Sequence, residues 1–298
     1  MMHPEHQYLG LLAELLEKGD KRIDRTGVGT RALFGRTLRF DLGDDRVPVL
    51  TTKKVLWRQG LVEMLWFLRG ETQIRSLLEQ GVGIWSDWPH RRYVQETGED
   101  IDLKAFEARV LGDDDFARRW GDLGPVYGRQ WRAWETRDGG TIDQMAKALE
   151  AIRHNPASRR IIVEGWNVGQ LEQMALPPCH KTYQFWVSSA GKLSLAMQQR
   201  SADVFLGLPW NLWESALLTR IMAQQSGLEP GELVWFGADV HLYLNHSQQA
   251  LIQLERQPRP FPRLTILRKA DSFDGYRPED FRLEGYDPHP AIRAPVAV

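Results

Sequence analysis

Residues 177–211 read PPCHKTYQFWVSSAGKLSLAMQQRSADVFLGLPWN. Two apolar runs, 182–187 and 192–198, alternate on either side of the small, turn-forming Ser-Ser-Ala-Gly segment, as paired strands do. A Leu-Gly-Leu-Pro-Trp-Asn turn at 206–211 follows, and residues 212–226 then carry a helical pattern. The stretch and its continuation thus supply both strands and a helix. The same stretch holds the only cysteine, Cys179, set against Pro177 and Pro178. Downstream it supplies a cation (Arg200), a hydroxyl (Ser201), a carboxylate (Asp203) and an amide (Asn211). So many reactive groups in so apolar a stretch read as a site rather than as core.

A solitary buried cysteine is usually an inert small hydrophobe. Cys179 differs in having prolines to fix its loop and cations to favour a thiolate, a soft nucleophile for an acyl carbon or an activated double bond. A hydrolase would need a histidine base, but His180 is adjacent on a strand and points to the opposite face. The eight histidines show no metal-binding spacing. A thiolate with arginines, an amide and aromatic walls suits a flat, phosphorylated heterocycle.

The upstream half reads as support. A helix over 5–18 precedes Asp24-Arg25-Thr26-Gly27-Val28-Gly29-Thr30, either a surface turn or a mobile anion-binding loop. A strand is expected over 31–40 and a strong helix over 57–69. Within that helix Glu63 sits among apolar neighbours, either facing solvent or tuned as a general acid/base by burial. A helix over 72–80 leads to Trp85 and Trp88, which read as core or as a flat ligand wall. Residues 89–120 are charged and locally helical and suggest an insertion or small subdomain without a catalytic part. A helix over 141–153 precedes Arg159-Arg160, which are solvated charge or a phosphate clamp. A strand over 234–240, a helix over 245–257 and a strand over 264–267 complete the pattern.

Over the 298 residues, 38 Lys plus Arg against 39 Asp plus Glu leave a net charge of −1, so bulk nucleic-acid binding has no electrostatic basis. The pairs Arg91-Arg92 and Arg118-Arg119 alternate with acids and read as solvated surface. One cysteine excludes an intrachain disulfide framework. With no apolar leader and no run approaching ~20 apolar residues, a soluble cytoplasmic protein of one domain, residues 1–298, is expected.

Several longer stretches resemble the thymidylate synthase family, which includes the pyrimidine nucleotide hydroxymethylases, along nearly the whole chain. They are DRTGVGT (24–30), TTKK (51–54), EMLWFLRGET (63–72), GDLGPVYGRQWRAW (121–134), SRRIIVEGWNVGQLEQMALPPCH (158–180), QRSADVFLGLPWN (199–211), HLYLNH (241–246), EGYDPHP (284–290) and APVAV (294–298). The resemblance implies an α+β fold, a single domain with a large twisted mixed β-sheet flanked by helices, acting as a homodimer. It implies reductive methylation of dUMP to dTMP, with 5,10-methylenetetrahydrofolate as one-carbon and hydride donor.

By the same resemblance Cys179 would add to C6 of the uracil, with Tyr127 beside the thiolate and His180 behind it. Arg25, Arg200 and Ser201 would hold the phosphate, joined by Arg159 and Arg160 of a partner subunit. Asn211 would read the pyrimidine edge, His241 and Tyr243 the sugar, and Glu63 would move protons. Asp203 would serve both ligands and hold the pterin, whose rings Ile84, Trp85, Leu176, Leu206, Gly207 and Trp210 would line. Lys53 would approach the folate's glutamate tail, and Ala297 and Val298 would close over the site. The chain departs from the family pattern on the folate side, with Ser86-Asp87-Trp88-Pro89 and with Trp210-Asn211-Leu212-Trp213-Glu214 where Phe-Asn-Ile is usual. A hydroxymethylase of the same fold is the alternative. Asn211 favours uracil over cytosine, and Trp85 with the apolar tail favours methylation.

Overall fold

The computed structural model describes residues 2–23 and 27–296. The first helix, α1 (His6–Lys18), buries Tyr8, Leu9, Leu11, Leu12 and Leu15 along one stripe. β1 (Asp20–Arg22) and β2 (Thr30–Asp41) pair antiparallel. Every residue of α2 (Trp57–Leu68) from Gly60 onward is buried, as befits a helix apolar nearly all round.

The charged stretch forms three short helices, α4 (Asp87–Thr97), α5 (Leu103–Gly112) and α6 (Asp114–Trp120), after the single turn α3 (Arg75–Leu78). Asp102 and Asp113 cap α5 and α6 by accepting a backbone N–H, and Tyr93, Phe106, Val110 and Phe116 join the common core.

α7 (Tyr127–Arg132) is followed by the ribbon of β3 (Trp134–Glu135) and β4 (Thr141–Ile142). The helix expected from residue 141 therefore begins later, as α8 (Gln144–His154), where the Asp143 carboxylate takes the Ala146 N–H at 2.8 Å. Then come β5 (Ile162–Glu164), β6 (His180–Val187) and β7 (Lys192–Asp203). α9 (Gly207–Ser226) and β8 (Glu229–Tyr243) follow. After α10 (Ser247–Leu254) the chain ends in the hairpin of β9 (Arg263–Ile266) and β10 (Phe281–Glu284).

The expected turn at 206–211 is instead the first turn of α9. Pro209 is tolerated there because first-turn N–H groups have no partner within the helix. β7 likewise runs on past residue 198, and β6 begins at His180, so Arg200 and Ser201 are strand residues.

The main sheet has the order β1-β2-β8-β7-β6-β5, with β7 and β8 parallel and the other pairs antiparallel. It is the mixed, helix-flanked sheet of an α+β fold. The helix α9 packs on β7 and β8, α1 on β2, α8 on β5 and β6, and α2 lies on α9. In register, Tyr183, Phe185, Leu195, Met197, Leu233 and Trp235 are buried on one sheet face. The opposite face leaves Ile162, Trp186 and Phe236 exposed by 44%, 59% and 41%. Because β7 and β8 run parallel while β6 runs against β7, the ends of β7 and β8, the start of β6 and the start of α9 converge at one edge. The site lies there.

Candidate active site

The convergence encloses a cleft of about 990 Å³, within the size range of small-molecule sites. Cys179, immediately before β6, is half-buried in it. Its backbone N–H donates to the Tyr127 hydroxyl at 2.7 Å. Arg200 donates to the carbonyls of Pro178 and Pro177, each at 2.8 Å, and reaches to 4.0 Å from Sγ of Cys179. The guanidinium thus holds the Cys179 loop and places positive charge beside the sulfur, the surroundings that reactive thiols have. Burial pushes the Tyr127 hydroxyl well above the ordinary range, with the thiol's proximity adding to it. His180 stacks on Tyr127 at 4.3 Å and pairs through Nδ1 with the Tyr183 hydroxyl at 2.6 Å. Burial brings its pKa down to about 3, so the ring is neutral and serves as packing.

Asn211 projects from the first turns of α9. Its Oδ1 accepts from Nε2 of Gln199 at 2.9 Å, and Gln199 Oε1 accepts from the Trp235 indole at 2.8 Å. An indole N–H can only donate, so it sets the direction of the whole chain of bonds and the orientation of the Asn211 amide. Ser201 lines the wall beside Arg200, and His241 and Tyr243 line it from β8. His241 Nδ1 lies 3.0 Å from Asp239, whose pKa is lowered chiefly by that bond.

Glu63 is buried, at 6% exposure, so it does not face solvent. Its Oε1 accepts from the Trp85 indole and its Oε2 from the Trp210 indole, both at 2.6 Å. Burial raises its pKa, and hydrogen bonds from Glu214, Trp85 and Trp210 pull it partly back. Gly60, one turn earlier on α2, admits this arrangement. A Cβ there would come within 3.0–3.2 Å of the Trp213 and Trp210 indoles.

The far wall is apolar and flat, built from Ile84, Trp85, Trp88, Leu176, Leu206 and Trp210 with Gly207. Asp203 lines it too, and its Oδ1 accepts the N–H groups of Phe205 and Leu206 at 2.9 and 3.2 Å. Arg91 reaches the cleft from the helical trio, so that segment is part of the site's wall.

Three expected residues lie elsewhere. Lys53 is buried outside the cleft, donating to the Phe205 carbonyl with its ammonium 3.6 Å from that ring's centre. Burial lowers its pKa to about 7. Arg159 and Arg160 are exposed and do not line this chain's cleft. Arg25, Ala297 and Val298 fall outside the described residues, but Val296 reaches the cleft and the Pro295 carbonyl is 2.8 Å from His246 Nε2. Gln199, Asp239 and Glu214 escaped the sequence reading. Asp239 shares a strand face with His241 two residues on, and Glu214 is the one carboxylate in an apolar helix; each was a usable signal. Among the described residues no three His, Cys, Asp or Glu side chains gather as a metal site.

Fold and cleft together fit an enzyme that handles a flat, polar ring by covalent catalysis through one cysteine. The sequence profile described as thymidylate synthase matches residues 6–298. A thymidylate synthase of Rhodopseudomonas palustris is 57% identical over 298 residues, and one of Cereibacter sphaeroides 58% over 298, each covering all of both chains. One of Zymomonas mobilis is 57% identical over 294 residues, 99% of each chain. The chain belongs to the thymidylate synthase family.

Proposed function

We propose that the cleft carries out the reductive methylation of dUMP to dTMP, with 5,10-methylenetetrahydrofolate as co-substrate. The observation that carries the reading is the opposition of Cys179 and a pre-oriented Asn211 across one cleft, in a chain that matches named thymidylate synthases from end to end. In it Cys179 adds to C6 of the uracil, and the electrons of the C5=C6 bond move toward O4, making C5 a nucleophile. Asn211 has one lone pair of Oδ1 occupied by Gln199; the other accepts N3–H, and Nδ2 donates to O4. His241, held by Asp239 through Nδ1, turns Nε2 toward the sugar hydroxyl with Tyr243 beside it. Arg200 and Ser201 take the phosphate from the cleft wall, and Arg25 of the same chain, outside the described residues, is assigned to it by the family resemblance alone. Glu63, buried and above its ordinary range, takes up and returns protons.

The flat wall from Ile84 to Trp210 suits the folate's rings, and Asp203 keeps Oδ2 for the pterin. When bound, the folate supplies the carbon and the hydride, leaving as dihydrofolate. Trp85 and the tail as far as Val296 exclude water, so that hydride and not water meets the exocyclic carbon. Lys53 supports the segment after Asp203 through the Phe205 carbonyl. The relatives' name favours methylation over hydroxymethylation.

Two features support a homodimer: the exposed apolar set Ile162, Trp186 and Phe236 on one sheet face, and arginines 159 and 160, exposed and outside the lining of their own cleft. In a dimer those arginines complete the partner's phosphate site. We read residues 89–120 as an elaboration of a single domain. No helix among the described residues is long and apolar enough to cross a membrane, and a lone nucleophilic thiol suits the reducing cytoplasm.

The test incubates the protein with dUMP and methylenetetrahydrofolate, follows dihydrofolate, and weighs the nucleotide. dTMP with equimolar dihydrofolate is expected, and Cys179→Ser should lower kcat by more than about a thousandfold while still binding dUMP. A hydroxymethylated nucleotide without dihydrofolate, or a serine variant of near-normal rate, would sink the reading.

A further inference from the structure

The fold buries a second carboxyl beside Glu63. Glu214 lies three residues after Asn211 and four after Trp210 on α9, so the three side chains share one helix face. It is 2% exposed and in hydrogen-bond contact with Glu63. Trp210 and Asn211 lie close enough to lower its pKa, while no donor reaches its buried Oε1. An ionised carboxylate can only accept hydrogen bonds. Two of them in contact away from water repel, and the contact holds only with a proton between them. The hydroxyl oxygen of an unionised carboxyl donates and needs no donor of its own, which accounts for the orphan Oε1.

We propose that Glu214 is a positioning residue that shares one proton with Glu63, so that the two carboxyls work as a single acid/base unit. The proposal rests on the proton-transfer role read for Glu63 above. At rest the pair carries one proton and a charge of −1. An O–H bond forms at Glu63 when a proton arrives from the substrate side and breaks when it returns, while the proton on Glu214 stays in place. The pair cycles between −1 and neutral, and no dianion forms in the buried site.

The sequence departures support the assignment. Trp210 stands where the family usually has phenylalanine, and of the two only an indole has an N–H, which here bonds Glu63 at 2.6 Å beside Glu214. Burial, and for Glu214 the charge of Glu63, hold both acids above their ordinary range, Glu214 the further. The titratable group facing the pair from β6 is Tyr183, which senses both carboxyls and is bonded in turn to neutral His180. Trp85 and Ser215 add neutral groups.

The test uses Glu214→Gln, whose amide can still donate to Glu63 but cannot titrate. The infrared spectrum of the unliganded wild-type protein at neutral pH should contain an unionised-carboxyl band that the variant lacks. A wild-type spectrum without that band, or the same band in both proteins, overturns the proposal. In steady state, wild-type kcat should fall at alkaline pH as the shared proton is lost, and the variant should lack that limb with an unchanged KM for dUMP. Superimposable pH profiles also overturn it. If Glu214→Gln does not fold, Glu214→Ser, which likewise removes the titrating group, goes through both measurements. The infrared readout is independent of turnover. A chain that shows the band but leaves dUMP unchanged refutes the function proposed above and not the shared proton.

Discussion

Gln199 touches no reacting atom in the proposed chemistry, yet it decides which way the Asn211 amide faces. Held by the Trp235 indole, it can present only its NH2 to Asn211. Gln199→Leu should therefore free the Asn211 amide to flip, at which point it matches cytosine as well as uracil. We expect the preference for dUMP over dCMP, as a ratio of kcat/KM, to drop at least about tenfold. An unchanged ratio in a competition assay would show that something else orients the amide. The cleft residues of the 177–211 stretch were legible because their chemistry is unusual among apolar neighbours: a thiol, an arginine and an amide. Gln199 was not, since an alternating strand gives no sign of which polar residue turns inward to a tryptophan some 36 positions away. Lys53 was misplaced for the opposite reason. A lysine near a motif suggests an anion, but this one is buried against a carbonyl and a ring.

Helices α2 and α7 bring Glu63 and Tyr127 to the cleft, and their closeness depends on Gly128. A Cβ there would stand 2.6 Å from the Phe67 carbonyl oxygen and 3.0 Å from the Phe67 Cα, both backbone atoms that can move only with α2. Gly128→Ala should cost about 1–3 kcal/mol of stability. It should also lower kcat beyond the loss of folded protein, because Tyr127 carries the Cys179 N–H. Urea unfolding and kcat together check this; a variant as stable and as fast as wild type would mean that the helices can part freely. At this scale the elements themselves were readable, since α1, α2 and the strands carry clear periodicity. Boundaries were read less well. The segment 206–211 looks like a turn because Gly and Pro break chains, yet Pro in a first turn breaks no bond. Thr141 and Ile142 looked helical, but they pair with Trp134 and Glu135, a contact that no local pattern announces.

For the molecule as a whole, a complete phosphate site requires two chains in our reading, so complementation is the natural test. Cys179→Ser and a double variant, Arg159→Ala with Arg160→Ala, should each be nearly inactive alone. Mixed under exchange, each heterodimer holds one intact site, and about a quarter of wild-type activity should return. No recovery after verified exchange would mean that each cleft is self-sufficient. The order of the sheet has a further consequence, for synthesis. β2 ends at Asp41, but its neighbour β8 spans Glu229–Tyr243, and β8 also carries β7. At about 5–20 residues per second, a ribosome leaves β2 without its partner for roughly ten to forty seconds. Through that interval the emerging chain holds an unpaired strand edge and, once residue 179 is made, a cysteine with no finished pocket. The chemistry is assembled late, and the nascent protein depends on its cell to keep that open edge from other chains until the last strand arrives.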